Sequence, residues 1–120
     1  TCALPISIFN LDKNIYPRIQ YIDVFKKPVF FYKNGLTLKA VSNKHTNDSF
    51  GIIFSWGKKT LLYSSDTALS KNIIKAAGKS TYLIHDCTAS SSFFKHYPEI
   101  YKMHTNSYDL AQVFKDSKLR

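Results

Sequence analysis

One histidine and one aspartate, His45 and Asp66, flank a predicted β-hairpin and could share a metal ion. The hairpin consists of GIIFSW at residues 51–56 and TLLY at residues 60–63. Two strands that fold back on each other bring their outer ends together, so we expect the two side chains to be neighbours. An imidazole and a carboxylate are donors that a divalent metal accepts. Two donors do not complete a metal site, so we expect the chain to be part of an enzyme rather than all of one.

Further polar residues follow other predicted strands. His85 and Asp86 come directly after TYLI at residues 81–84, and His104 precedes the last predicted helix. In open α/β sheets, ligands bind outside the carboxyl ends of the strands, and a helix N-terminus favours anions. We therefore expect these side chains at one edge of the sheet. Taken singly, Asp66 and Asp86 are better explained as turn or helix-start residues; their joint arrangement favours a functional role.

The elements that must position these residues follow an α/β pattern. Asn34 and Gly35 form a strong two-residue hairpin signal, because both residues tolerate positive φ. Ser70 is a suitable helix N-cap, and Gly78 a suitable C-terminal stop. An amphipathic stripe indicates the last helix. The sequence predicts strands at 19–25, 29–33, 36–41, 51–56, 60–63 and 81–84, and helices at 70–77 and 107–116.

Composition limits the class of protein. A chain of 120 residues is one domain or a piece of one, and its 44% apolar content is enough for a hydrophobic core. No apolar run approaches the roughly 20 residues of a membrane span, and we find no signal peptide. Cys2 and Cys87 form neither a disulfide framework nor a metal-type pair. These features favour a cytoplasmic location and no membrane partner.

The charge balance is strongly basic, with 17 Lys and Arg against 8 Asp and Glu and a net charge of +9. One explanation is attraction to the phosphates of a nucleotide or a nucleic acid. The other is an AT-rich genome, whose codons favour Lys, Asn, Ile, Phe and Tyr. Most of the lysines are scattered rather than clustered, which favours the second explanation.

Both ends of the chain look interrupted. The segment TCALPIS, Thr1–Ser7, resembles the translation of a sequencing adapter, and we expect it to be non-native. We therefore divide the chain into a non-native or irregular segment at 1–18 and a partial domain at 19–120. The last helical pattern stops at Arg120 with no cap, so we expect the reading frame to be cut at both ends.

Four segments in order carry a resemblance to a known family. They resemble the second half of a metallo-β-lactamase-fold hydrolase, in the ribonuclease Z and phosphodiesterase branch. The resemblance covers about residues 19–120 and implies part of a metallo-β-lactamase-type αβ/βα sandwich. Ser65, Asp86 and Cys87 depart from that family's glycine, glutamate and alanine, and its upstream H-x-H-x-D-H motif is absent. The segments are LKAVSNKHTNDSFGIIF at residues 38–54, LLYSSDT, LIHDCT and MHTNSYDLAQVF.

The resemblance implies a metal-dependent hydrolase of phosphodiester bonds, either ribonuclease Z-like in tRNA 3′ processing or a related phosphodiesterase. It implies that His45 and Asp66 are metal ligands, with two divalent ions, Zn²⁺, in the intact parent. His85, oriented by Asp86, would donate a proton, and His104 would bind a phosphate oxygen. The implied substrate is RNA or a nucleotide phosphodiester, a homodimer is an open expectation, and the fragment alone should be inactive.

Two other functions remain open. One is a non-catalytic module of the same fold that binds nucleic acid or a protein partner. The other is a small-molecule hydrolase such as a thioesterase or lactonase, which the pair His85 and His104 argues against. An H-x-H-x-D-H motif upstream in the parent would support an enzyme, and its absence would support a binding module.

Overall fold

A computed structural model describes residues 21–117, which form one five-stranded mixed sheet with helices. The strand order is β1-β2-β3-β4-β5; the first four strands are antiparallel, and β5 is parallel to β4. The elements are β1 (Val29–Lys33), β2 (Leu36–Ser42), β3 (Phe50–Trp56), β4 (Lys59–Tyr63), α1 (Lys71–Ala77), β5 (Tyr82–Ile84), α2 (Ser91–His96), a 3₁₀-helix (Pro98–Lys102) and α3 (Ser107–Phe114).

The predicted α/β class is confirmed, but the finer architecture is not shown. Residues 21–117 contain a single sheet, whereas an αβ/βα sandwich has two. Within these residues, no helix combines the length and the apolar character that crossing a bilayer requires.

Two tight turns connect the antiparallel strands where the sequence predicts them. At the β1–β2 turn, Asn34 and Gly35 have φ values of 52° and 79°. Asparagine and glycine are the residues that adopt this left-handed region at low cost, which is why this pair forms a two-residue turn. The β3–β4 turn contains Gly57 with a φ of 55°. The short connections fix the register of the strands, with Lys33 opposite Leu36.

The core lies between one face of the sheet and α1. Alternate residues of a strand point to the same face, and Ile53 of β3 lies opposite Leu62 of β4. Leu62 packs against Ile73 and Ala77 of α1, and all three are fully buried. Partly buried apolar side chains surround this cluster: Val41, Ile53, Ala76, Leu83 and Phe114.

The opposite face of the sheet is also apolar. Register and alternation place Leu38, Phe54 and Leu61 side by side on this face. Trp56, Tyr63 and Ile84 continue the face toward its edges and are 41%, 43% and 52% exposed. We call these apolar side chains, together with Ile52 and Tyr82, the open face.

The predicted strand at 19–25 is wrong over residues 21–25, and residues 19 and 20 lie outside the described residues. Asp23 explains the difference, because its Oδ1 accepts hydrogen bonds from the backbone N–H groups of Phe25 and Lys26. Lys27 N donates to the Asp23 carbonyl, so the segment is a turn. The predictions for 1–18 and for Thr1–Ser7 also lie outside the described residues.

The helices agree with the sequence in position but not in every detail. Ser70 precedes α1 as predicted, yet its side chain makes no capping hydrogen bond, and Gly78 has a right-handed φ of −60°. The sequence patterns did not predict α2 or the 3₁₀-helix, because neither has a long apolar period. α2 is nonetheless capped by Ser90 and anchored by the fully buried Phe94.

Candidate metal centre

Three potential metal ligands converge at one edge of the sheet. His45, Asp66 and His104 each offer a ligand atom, and these atoms all lie within 4.8 Å of one another. His45 and Asp66 lie together as their hairpin predicts. His104 joins them from the loop before α3, and its ring centroid is 5.0 Å from that of His45. The histidines are partly buried and the aspartate is exposed, so the cluster is open to solvent on one side.

A side-chain amide ties the loops of the first two residues together. Asn43, which directly follows β2, donates its Nδ2 to the carbonyl of Ser64 at 2.9 Å and to that of Asp66 at 3.1 Å. The loop that carries His45 is therefore bonded to the loop that carries Asp66.

The loop after β4 makes a sharp turn immediately before Asp66. Ser65 has a φ of 57°, a left-handed conformation that is uncommon for a residue other than glycine. Its neighbour Ser64 is fully buried, and the Ser64 hydroxyl accepts a hydrogen bond from the backbone N–H of Asp86 at 3.0 Å. This bond joins the loop that carries Asp66 to the residues that follow β5.

The side-chain carboxylate of Asp86 contacts His104. Its Oδ2 lies 2.9 Å from His104 Nδ1, and its two oxygens also accept from the Thr88 hydroxyl at 2.7 Å and Thr67 N at 3.0 Å. Burial raises the pKa of Asp86, but these three hydrogen bonds outweigh it and hold that pKa below its ordinary value. A carboxylate that holds Nδ1 leaves Nε2 of the imidazole for a metal.

His85 lies apart from the cluster. Its Nδ1 is 2.8 Å from the Asp86 carbonyl, and its Nε2 is buried with no hydrogen-bond partner among the described residues. The ring faces Phe114 at 6.1 Å and lines a groove of about 680 Å³ between β5 and α3. The proton-donor role predicted for His85 stays a prediction. His85 is predicted to be oriented by Asp86; it contacts the backbone carbonyl of Asp86, whereas the Asp86 carboxylate contacts His104.

The reason is the alternation of side chains at the end of β5. Leu83 points to the α1 side of the sheet, so His85, two residues on, points the same way toward α3. Asp86 then points away from it, toward His104.

Sequence reasoning did not single out the threonines that follow two of the three clustered residues. Thr67 and Thr105 are 0% and 2% exposed, and Thr105 Oγ1 donates to the Thr67 carbonyl at 2.7 Å. Their position directly after Asp66 and His104 is the only signal in the sequence.

The fold and site define an α/β protein with a metal-type cluster of two imidazoles and a carboxylate at the ends of its strands. Residues 13–113 match the model of the family described as Anti-Pycsar protein Apyc1. The chain therefore belongs to this family. No curated protein matches the chain.

This match corrects the predicted identity. It overturns the assignment to the ribonuclease Z and phosphodiesterase branch of the metallo-β-lactamase-fold hydrolases, and with it the ribonuclease Z-like function. The predicted enzyme class, a metal-dependent phosphodiesterase or endoribonuclease, falls with the family on which it depended. The alternative, a non-catalytic module of the same fold, gains no support from the match. The prediction depended on four short strand–loop segments, and such segments specify a local arrangement of His and Asp more than a family.

Proposed function

We propose that the chain acts in the role its family name states, against Pycsar, a defence that uses a cyclic nucleotide. In this proposal His45, Asp66 and His104 would hold a divalent metal, whose charge would attract the phosphate of that nucleotide. The observation that carries the proposal is the convergence of the three ligand atoms within 4.8 Å.

The donor set fits zinc. Two imidazoles and one carboxylate are ligands that Zn²⁺ accepts, and three protein ligands leave a coordination position for another group. A bound Zn²⁺ would supply a concentrated positive charge for a phosphate oxygen. Asp86 would fix the tautomer and orientation of His104, as partners of metal-binding histidines do.

Two features of the whole chain support this proposal. The net charge of +9 attracts an anionic ligand over distances longer than a hydrogen bond. Cys87 is exposed and free, as is usual in a reducing compartment, so we place the activity in the cytoplasm.

The first test is metal binding by the 120-residue chain, measured by calorimetric titration with Zn²⁺ after dialysis against a chelator. We expect binding of one Zn²⁺, which His45→Ala, Asp66→Ala and His104→Ala each weaken strongly. His96→Ala is the matched control, because among residues 21–117 the His96 side chain bonds only within α2, through Nδ1 to the Ser92 carbonyl. Equal losses in His96→Ala and His45→Ala would contradict the site.

The second test is ligand binding by the zinc-loaded chain, titrated with the four 3′,5′-cyclic ribonucleoside monophosphates. We expect at least one to bind, and we expect chelation of zinc or His45→Ala to abolish that binding. Binding that survives removal of the metal would disprove the metal–phosphate contact. Failure of all four to bind would disprove nucleotide recognition by this chain.

A further inference from the structure

Thr67 lies where the three loops of the candidate metal centre meet. It directly follows Asp66 in the sequence and is fully buried. Every polar atom of this residue takes part in a hydrogen bond, and the partners lie on three other segments of the chain.

The hydroxyl of Thr67 holds the loop that carries His45. Thr67 Oγ1 accepts a hydrogen bond from the backbone N–H of Lys44, the residue before His45, at 3.0 Å. The same hydroxyl donates to the carbonyl of Ala68 at 2.6 Å, and Ala68 N donates to the Lys44 carbonyl at 2.8 Å. These bonds join residue 44 to residues 67 and 68.

The backbone of Thr67 holds the other side of the site. Its carbonyl accepts from the hydroxyl of Thr105, the residue after His104, at 2.7 Å. Its N–H donates to Asp86 Oδ2 at 3.0 Å, and the same carboxylate oxygen contacts His104 Nδ1. Thr67 is therefore linked to His104 in two ways, through the neighbouring Thr105 and through the Asp86 carboxylate.

We propose that Thr67 is the positioning residue of the metal centre, and that its hydroxyl sets the spacing between His45 and the other two ligands. This inference depends on the metal site proposed above. Thr67 does not itself reach the metal in this proposal; it acts through the loops on either side. Partners of this kind change metal affinity by about 10- to 100-fold when they are removed.

The test compares Thr67→Val with Thr67→Ser. Valine keeps the shape of threonine but removes the hydroxyl, so we expect the affinity for Zn²⁺ to fall by about 10- to 100-fold. Serine keeps the hydroxyl and loses only a methyl group, so we expect it to restore most of the affinity. The ligand-field spectrum of the Co²⁺-loaded chain gives a second readout, which should change in Thr67→Val and stay like the wild type in Thr67→Ser.

Thr81→Val is the matched control for a structural effect. Thr81 Oγ1 accepts from Thr60 N at 3.2 Å, at the end of β5 remote from the cluster. We expect this variant to melt at a lower temperature with no change in zinc affinity. If Thr67→Val does not fold, Thr105→Val tests the same hydrogen-bond network, because it removes the hydroxyl that donates to the Thr67 carbonyl. We expect it to lower zinc affinity as well.

The outcomes separate the two proposals. If the wild type binds no Zn²⁺, the metal site and the role of Thr67 both fail. If the wild type binds Zn²⁺ and Thr67→Val binds it no more weakly than Thr81→Val does, only the positioning role fails. The same conclusion follows if Thr67→Ser loses as much affinity as Thr67→Val.

Discussion

At the scale of single residues, one carboxylate organises much of the candidate site. Asp86 accepts from Thr88, Thr67 and His104, and its side chain is 6% exposed. An asparagine at this position would place an amide N–H₂ against at least one donor. The side chain would then no longer satisfy all three groups.

We predict that Asp86→Asn lowers the affinity of the chain for Zn²⁺ by about 10- to 100-fold, because His104 loses the partner that fixes its tautomer. Competition with a chromophoric chelator would measure the change. His85→Ala is the control, since His85 lies outside the cluster and should leave zinc affinity unchanged. A loss in His85→Ala as large as that in Asp86→Asn would show that the pairing is misassigned.

Gly51 of β3 lies close to both β4 and α1. A Cβ on Gly51 would lie 2.7 Å from the Tyr63 carbonyl oxygen and 3.1 Å from Ile73 Cδ1. We expect Gly51→Ala to lower the free energy of unfolding by about 1–3 kcal/mol, as overpacking of a core does.

Urea denaturation would measure this change, with Gly78→Ala as the control. Gly78 has a right-handed φ, and a Cβ there meets nothing closer than 3.8 Å. Alanine at such a position is neutral or stabilising, by about 0.4–1 kcal/mol. Equal destabilisation by both substitutions would mean that the contact at Gly51 is not the cause.

At the scale of elements, α3 begins with a side-chain cap and α1 does not. Asn106 is fully buried, its Oδ1 accepts from Asp109 N at 2.9 Å, and its Nδ2 donates to Asp109 Oδ2 at 2.7 Å. Ser70, at the start of α1, makes no such bond.

We therefore predict that Asn106→Ala costs about 0.5–2 kcal/mol of stability, the usual cost of losing an N-cap, whereas Ser70→Ala costs little. Thermal unfolding of the two variants would compare them, and the loss of helical circular dichroism would be expected only for Asn106→Ala. A larger effect of Ser70→Ala would indicate that burial of Ser70, rather than capping, decides its contribution.

The elements that the sequence predicts correctly are those with a local signal. The strands β1 to β4 alternate or are β-branched, and the turn at Asn34 and Gly35 has one favoured geometry. The strand at 19–25 fails because Asp23 makes local hydrogen bonds that compete with strand pairing. α2 is not predicted because its six residues have no apolar period, and its one buried side chain, Phe94, packs against Tyr101 of the 3₁₀-helix.

The candidate site likewise has one part that the sequence predicts and another that it does not. The neighbourhood of His45 and Asp66 follows from one hairpin, so the sequence predicts it. The approach of His104 depends on how a distant segment packs, and the partner of Asp86 depends on which way each side chain points after β5. The sequence places His104 at this edge of the sheet, but neither its distance from the other two residues nor the partner of Asp86 follows from spacing along the chain.

At the scale of the whole molecule, the two faces of the sheet are unequal. The helices that form the core pack on one face, while the open face presents large apolar side chains at 41% to 52% exposure. An apolar patch of this kind on a protein surface favours association with another apolar surface.

We predict that the isolated chain binds a hydrophobic dye and self-associates through the open face. Replacing Trp56 and Ile84 together by glutamine should reduce dye fluorescence and shift the sedimentation profile toward the monomer. The control replaces Tyr21 and Tyr108 by glutamine in the same way. These tyrosines are 73% and 60% exposed but do not belong to the open face. An equal response in the control would mean that the association is nonspecific.

The connectivity of the sheet also predicts the order in which its strands fold. Within residues 21–117, β1 to β4 pair only with their neighbours in sequence, and contacts of this kind close short loops and form early in folding. We therefore expect His45 and Asp66 to come together with these four strands, and His104 to join them after β5, α2 and the 3₁₀-helix have packed. A partly folded chain would thus present two of the three ligands and would bind an ion only weakly. At the metal site proposed above, firm binding of an ion would then require the complete fold.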